Sequence, residues 1–254
     1  MELRGVTALV SGAGGGLGAA TARELAGAGA HVVVADTDTR TGAAVAGEVG
    51  GTFVETDVTR AESVEHAVEM AAGLTGPLRV AVSCAGIAPA ARTLGLDGRP
   101  HDLETFERAL AVNLVGTFNV MRLAAAAMAA TEPLQDGERG VVVNTSSAAA
   151  EDGQAGQTAY AASKGAVAAL TLPAARDLAS VGVRVCALSP GLFDTPLFEA
   201  IPPEFRRPLV RQIVFPPRLG TPREFARAVR AVCELGYLNA TVVRLDGGLR
   251  LPST

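Results

Sequence analysis

Tyr160 and Lys164 stand four residues apart in Tyr160-Ala161-Ala162-Ser163-Lys164, and Ser147 lies thirteen residues before Tyr160. The surrounding stretch reads as helix, so at about 3.6 residues per turn the tyrosine and lysine share one face. A free tyrosine has a pKa of about 10, too high for proton exchange at neutral pH. A lysine ammonium one turn away favours the phenolate and draws that value down. Ser147 adds a neutral hydroxyl that can hold a substrate oxygen. The set suits the movement of a proton on or off an alcohol oxygen while another group takes the hydride. Tyr and Lys at this spacing also occur on many solvated helix faces, so the chemistry requires an independent sign of a cofactor.

That sign lies near the start of the chain. Ser11-Gly12-Ala13-Gly14-Gly15-Gly16-Leu17-Gly18 follows an apolar run and opens a helical pattern. Glycines permit the tight turn and let the backbone approach a pyrophosphate, while the helix N-terminus supplies N–H donors and partial positive charge. Asp36 closes the next apolar run, Val32-Val33-Val34-Ala35, eighteen residues beyond Gly18. A carboxylate there accepts hydrogen bonds from both ribose hydroxyls of NAD and repels the 2′-phosphate of NADP. Arg40 is the one nearby cation, so NAD is the expected cofactor. A turn or helix-cap role for Asp36 is the plain alternative.

The elements that must position these groups alternate regularly. Strands are expected at 6–10, 31–35, 52–55, 79–83, 140–145, 183–188 and 241–245. Helices are expected at 16–28, 39–48, 61–72, 103–130, 158–180 and 222–235. The alternation predicts a single-domain Rossmann fold over residues 1–254, an α/β doubly wound parallel seven-stranded sheet with helices on both faces. The chain is 48% hydrophobic with 4% aromatic residues and no Trp, a composition of small and β-branched side chains suited to such a sheet. Two segments break the rhythm: a polar Gly/Pro-containing insertion at 88–102, and the proline-rich stretch 192–221, expected to act as a substrate lid.

Net charge is −4, with no Lys/Arg cluster, which argues against a nucleic-acid partner. The three cysteines are widely spaced and odd in number, as expected for a reducing, cytoplasmic setting, and no His/Cys spacing suggests a metal. The N-terminus reads straight into a strand without a leader, and the apolar stretch Ala109–Ala130 is interrupted by Asn113, Asn119 and Arg122. That stretch is expected to be a buried amphipathic helix and not a membrane span.

Taken together these residues resemble the short-chain dehydrogenase/reductase family. The resemblance spans nearly the whole chain through Gly12-x-x-x-Gly16-x-Gly18, Asp36, Asp57-Val58, Ser83-Cys84-Ala85-Gly86, Asn113, the Ser147/Tyr160/Lys164 set, Pro190-Gly191 and Thr195. Within the family it is most similar to the type 2 3-hydroxyacyl-CoA dehydrogenase/17β-hydroxysteroid dehydrogenase subgroup, through Val112–Val120, Thr171–Leu178, Ser189–Pro196 and Val243–Gly247. The resemblance implies that Tyr160 is the general acid/base and that Lys164 lowers its pKa and holds the nicotinamide ribose. It further implies that Ser147 orients the reacting oxygen and that Asn113 sustains a water-linked proton relay to Lys164. Gly15, Gly16 and Leu17 would meet the pyrophosphate. Asp57 and Val58 would touch adenine, Cys84, Ala85 and Gly86 the adenine-ribose region, and Pro190, Phe193 and Thr195 the nicotinamide end. Plainer roles stand beside these: Asn113 as a helix-bending amide, Cys84 as core, Thr195 as a helix cap.

Two departures from the family pattern bear on the site. Ser83 replaces a longer polar side chain in the loop after the fourth strand. The Ser146-Ser147 pair offers two serines; the offset to Tyr160 selects Ser147, with Ser146 the alternative. Glu151 and Asp152 place negative charge near the site with no partner evident in the sequence.

The expected reaction is NAD-dependent interconversion of a secondary alcohol and a ketone, foremost a 3-hydroxyacyl-CoA. A hydroxysteroid or other small alcohol is the alternative substrate. A non-catalytic NAD-binding regulator is the alternative of another class, weakened by the complete proton-transfer set. Gln154 and Gln157 are candidate polar contacts to substrate. Leu197 and Phe198, with Ile201, Leu209 and Phe215, would line an apolar pocket or pack beneath the lid. The resemblance implies a homotetramer.

Overall fold

The computed structural model describes residues 1–252. Seven parallel strands form one sheet: β1 (Thr7–Ser11), β2 (His31–Asp36), β3 (Thr52–Glu55), β4 (Leu78–Ser83), β5 (Gly140–Thr145), β6 (Val183–Pro190) and β7 (Val242–Leu245), in the order β3-β2-β1-β4-β5-β6-β7. The expected fold class therefore holds. Residues of β1, β4, β5 and β6 are buried throughout, as their unbroken apolar runs require when helices cover both faces.

One layer contains α1 (Gly16–Gly27), α2 (Thr39–Val49) and α9 (Pro222–Glu234), which bury Leu25, Val45, Phe225 and Val229 against the sheet. The other contains α3 (Ala61–Ala72), α5 (Gly116–Ala129) and α6 (Thr158–Leu178), which bury Val64, Val68, Val120, Met121, Met128 and Ala175. The helix preceding α5 is not uniform. α4 (Leu103–Leu110) passes through a π turn at Ala111–Val115 before α5 begins. By length and composition Leu103–Ala129 could cross a membrane, but Val120, Met121, Ala124, Ala125 and Met128 of this stretch lie in the core.

Local sequence fixes several ends. Asp38 caps α2 by accepting from the N–H groups of Arg40 and Thr41, and Gly50 closes that helix in the left-handed region. Thr221 and Glu224 form a reciprocal capping box on α9. The 192–221 segment holds two short helices, α7 (Pro196–Glu199) and α8 (Pro203–Val210), each opened by a proline in its first turn.

Candidate active site

β1 and β4 are neighbours at the point where the chain reverses its direction of travel across the sheet. In an open α/β sheet the carboxyl ends of the strands diverge there and leave a crevice. A cleft of about 860 Å³ occupies this position. Its walls include Gly12, Gly15, Gly16, Leu17, Gly18, Asp36, Asp57, Val58, Cys84, Ala85, Gly86 and Thr195, all expected from the sequence, with Leu197 of α7. The sequence reading missed Ile87, Arg108 and Val112, which also line it. Arg108 and Val112 stand one turn apart on the helix that carries Asn113, a spacing that could have suggested a shared face.

The glycine loop is shaped for close backbone approach. At Gly12 the backbone is left-handed (φ 65°), and a Cβ would lie 2.5 Å from the Ala85 nitrogen. At Gly18 a Cβ would lie 2.1 Å from the Gly12 carbonyl oxygen. No side chain can be added at either place without moving backbone. Helix α1 then begins at Gly15 without a side-chain cap and with no acidic residue in its first turn. Its first N–H groups are left for an anion, and the helix dipole favours one. The Asp36 carboxylate is fixed at the cleft by the N–H groups of Gly14 (2.7 Å) and Asp38 (2.9 Å), one on each oxygen. Each oxygen retains a lone pair for a hydroxyl donor. Uncapped helix, glycine cradle and carboxylate together fit a dinucleotide.

The expected proton-transfer residues Ser147, Tyr160 and Lys164 come from the turn after β5 and from helix α6. Ser147 caps the single turn Ala148–Ala150, its oxygen accepting from the Ala149 N–H at 3.2 Å. The neighbouring Ser146 hydroxyl is buried and donates to the Lys164 carbonyl at 2.8 Å, so it is committed to helix α6. The Ser147 hydroxyl is not committed to α6 in this way. Burial holds the Tyr160 hydroxyl above its ordinary pKa, and a side-chain hydrogen bond with Ser147 partly offsets this.

Lys164 follows Tyr160 by one turn of α6. Its ammonium is buried, donates to the Thr145 carbonyl at 2.8 Å and stands 5.9 Å from the Tyr160 ring centroid. Burial pulls the lysine down to about 8. The Nζ atom lies just beneath Gly86, where a Cβ would be 3.5 Å away, and so borders the cleft.

Asn113 sits in the π turn and is fully buried. Its Oδ1 accepts from the Ile87 N–H (2.8 Å), and its Nδ2 donates to the Ile87 carbonyl (2.8 Å) and to Ser163 Oγ (2.9 Å). Ser163 in turn donates to the Tyr160 carbonyl at 2.7 Å. The side chain thus braces the loop after β4, the loop that Ser83 left without an evident support, and ties it to helix α6. Cys84 joins this region through a 3.8 Å contact from Thr145 Oγ1, and burial raises its thiol to about 11.

Several expected contacts fall elsewhere. The Phe193 ring is buried and meets Phe225 edge-on at 6.2 Å, so only its backbone is available to a cofactor. Pro190 is buried at the end of β6. Phe198 of α7 is buried, whereas Leu197 and Phe215 of the same 192–221 segment are exposed. Thr195 both lines the cleft and caps α7, accepting from the Phe198 N–H at 3.3 Å. The Gln157 oxygen accepts from the Gln154 N–H at 3.1 Å, which shapes the loop between Ser147 and Tyr160. The 88–102 insertion lies along that loop, with the Ala91 N–H on the Gly156 carbonyl (2.9 Å) and Thr93 on Thr158 (3.1 Å). The charge at Glu151 and Asp152 is met by Arg244 of β7.

Known proteins agree with this arrangement. The family model described as short chain dehydrogenase matches residues 6–205. Human 3-hydroxyacyl-CoA dehydrogenase type-2 is 48% identical over 253 residues, covering 98% of this chain and 97% of its own. Ipsdienol dehydrogenase of Ips pini is 33% identical over 245 residues, covering 95% and 96%. The crystal structure of 3-hydroxyacyl-CoA dehydrogenase type-2 from Mycobacterium avium superposes with a TM-score of 0.94 at 46% identity, covering 98% of both chains. With Ser147, Tyr160 and Lys164 gathered beside a dinucleotide cleft, the chain belongs to the short-chain dehydrogenase family and is a nicotinamide-dependent alcohol oxidoreductase.

Proposed function

We propose that this protein interconverts a 3-hydroxyacyl-CoA and the 3-oxoacyl-CoA with NAD as its cofactor. The observation that carries the reading is the buried Lys164 ammonium, 5.9 Å from the Tyr160 ring centroid and bordering the dinucleotide cleft at Gly86. Bound NAD supplies the hydride acceptor. Ser147 donates to the reacting oxygen and holds it in place. Tyr160, once ionised, takes the hydroxyl proton, and in the reverse direction it returns that proton. Lys164 stabilises the phenolate when its ammonium turns from the Thr145 carbonyl toward the site, and Asn113 sustains a water-linked proton relay to Lys164. Donors already in place lower the barrier without reorganising.

The choice of NAD rests on Asp36, whose charge opposes a 2′-phosphate. The substrate class is supported by the names of the relatives, and exposed Leu197 and Phe215 at the lid suit an acyl chain. The same apolar surface suits a hydroxysteroid. Val115 and Phe118, half-exposed around the start of α5, support a homotetramer built on that helix. Three unpaired cysteines support a reducing compartment, the cytoplasm.

The test is NADH oxidation with acetoacetyl-CoA, beside NADPH and beside a 17-ketosteroid. Rapid turnover with NADH and the thioester is expected, and Tyr160→Phe should abolish it while NADH still binds. Preference for NADPH would refute the role of Asp36, and turnover of the steroid alone would refute the acyl-CoA assignment.

A further inference from the structure

We propose that Arg244 is a positioning residue for the substrate side of the site, a role that rests on the catalytic reading of Ser147 and Tyr160 above. Its partners lie in the segment that joins those two residues. Arg244 Nη1 donates to Glu151 Oε2 at 2.9 Å, and Nη2 donates to Asp152 Oδ2. Nε donates to Asp246 Oδ2 at 2.5 Å, and Nη2 also reaches the Leu249 carbonyl at 2.9 Å. The guanidinium fork is thus used on every side, which fixes its plane as well as its charge.

The pairs are not equivalent. Glu151 is 63% exposed and its pair is screened by solvent, whereas Asp152 is 19% exposed and Arg244 17%. Asp152 therefore carries most of the hold. It stands between the turn that presents Ser147 and the Gly153–Gln157 stretch that carries Gln154 and Gln157. The far end of that stretch is pinned by the 88–102 insertion through Ala91 on Gly156 and Thr93 on Thr158. Arg244 pins the near end, so the wall facing the reacting oxygen is held at both ends.

The same arginine joins this wall to the strand ends. Arg244 is paired in register with Ser189, immediately before Pro190-Gly191. The Gly191 N–H donates to the Leu245 carbonyl at 3.0 Å, and a Cβ on Gly191 would lie 2.7 Å from the Asp246 Cβ. One side chain therefore sets the spacing between the loop after Ser147 and the turn after β6. Losing it would loosen the wall that receives the substrate, so that binding has to order it, while leaving the glycine loop and Asp36 untouched.

The experiment uses Asp152→Asn in the full chain, with Glu151→Gln and Arg244→Lys beside it. Arg244→Leu would strand Asp246 and risk misfolding, whereas Asp152→Asn leaves Arg244 its other partners. For Asp152→Asn, KM for acetoacetyl-CoA should rise about tenfold, the effect of weakening one partly buried charge-assisted hydrogen bond. The kcat, the NADH affinity by fluorescence and the Tm should stay close to those of the parent. Glu151→Gln should resemble the parent, and Arg244→Lys should fall between. Hydrogen exchange over 148–157 should quicken in Asp152→Asn alone among the two carboxamide variants. Unchanged KM with unchanged exchange would overturn the proposal, as would a fall in Tm with parallel loss of NADH affinity. If the parent turns over neither thioester nor steroid, the substrate reading fails, and the exchange result still decides whether Arg244 holds the wall.

Discussion

Asn113→Ala separates the bracing role of this residue from any part in proton movement. The asparagine makes three hydrogen bonds, two to Ile87 backbone and one to Ser163, from a fully buried position. Alanine removes all three and leaves the Ile87 groups and the Ser163 hydroxyl to find other partners. A net value of about 1 kcal/mol per bond gives a loss of about 3 kcal/mol. For a domain of this size each kcal/mol shifts Tm by roughly 2–4 °C, so Tm should fall by roughly 6–12 °C. Because Ile87 follows the Cys84–Gly86 wall of the cleft, NADH affinity should weaken as well. Thermal unfolding followed by circular dichroism and NADH fluorescence titration measure the two effects. A Tm within two degrees or so of the parent would refute the bracing argument and leave Asn113 with a purely chemical role.

Further outcomes follow from burial and close approach. Burial holds Lys164 at about 8 against 10.5 for an ordinary lysine. Between those values the unfolded chain carries a proton that the folded chain lacks, so Lys164 adds stability as pH rises through this window. Relative to Lys164→Met, the parent's unfolding free energy should climb by about 3 kcal/mol from pH 7.5 to 10.5 in urea denaturation. Parallel curves would refute the burial argument; Cys84, raised to about 11 by burial, gives an opposing trend in both proteins. Gly18→Ala sets a methyl 2.1 Å from the Gly12 carbonyl and should abolish NADH binding with a stability loss of at least 1–3 kcal/mol, roughly the cost of overpacking. An alanine variant that binds NADH normally would show that the loop is looser than its geometry.

The strands were legible because they are buried on both faces and read as continuous Val and Ala runs, as in Val141-Val142-Val143 of β5. Helices α1, α3 and α9 were legible from punctuation and apolar spacing. The π turn was not, because the Ala- and Val-rich stretch around Asn113 reads equally well as uninterrupted α-helix. The dinucleotide half of the site is encoded locally in glycine spacing and in Asp36, and its residues meet at the cleft. The environment of the proton-transfer groups is encoded by long-range pairs. Arg244 lies 92 residues from Asp152, and no local pattern links them. The burial of the Phe193 ring depends on Phe225 in another helix, so side-chain identity could not reveal which way it faces. The placing of the Lys164 ammonium likewise depends on the Thr145 carbonyl, from strand β5.

The π turn at Ala111–Val115 amounts to one extra residue threaded into a helix. Excising one residue there, for instance Leu114, would restore an ordinary helix and a more regular local backbone. Because the π turn absorbs that residue, the phase between α4 and α5 would be kept: Val120, Met121, Ala124 and Met128 would stay on the sheet and Arg108 at the cleft. A single-codon deletion within the regular turns of α5 would instead rotate everything downstream by roughly 100° and should be far less tolerated than one at the π turn. Insertions and deletions along this helix will be survivable only where they preserve the phase between its cleft-facing and core-facing halves.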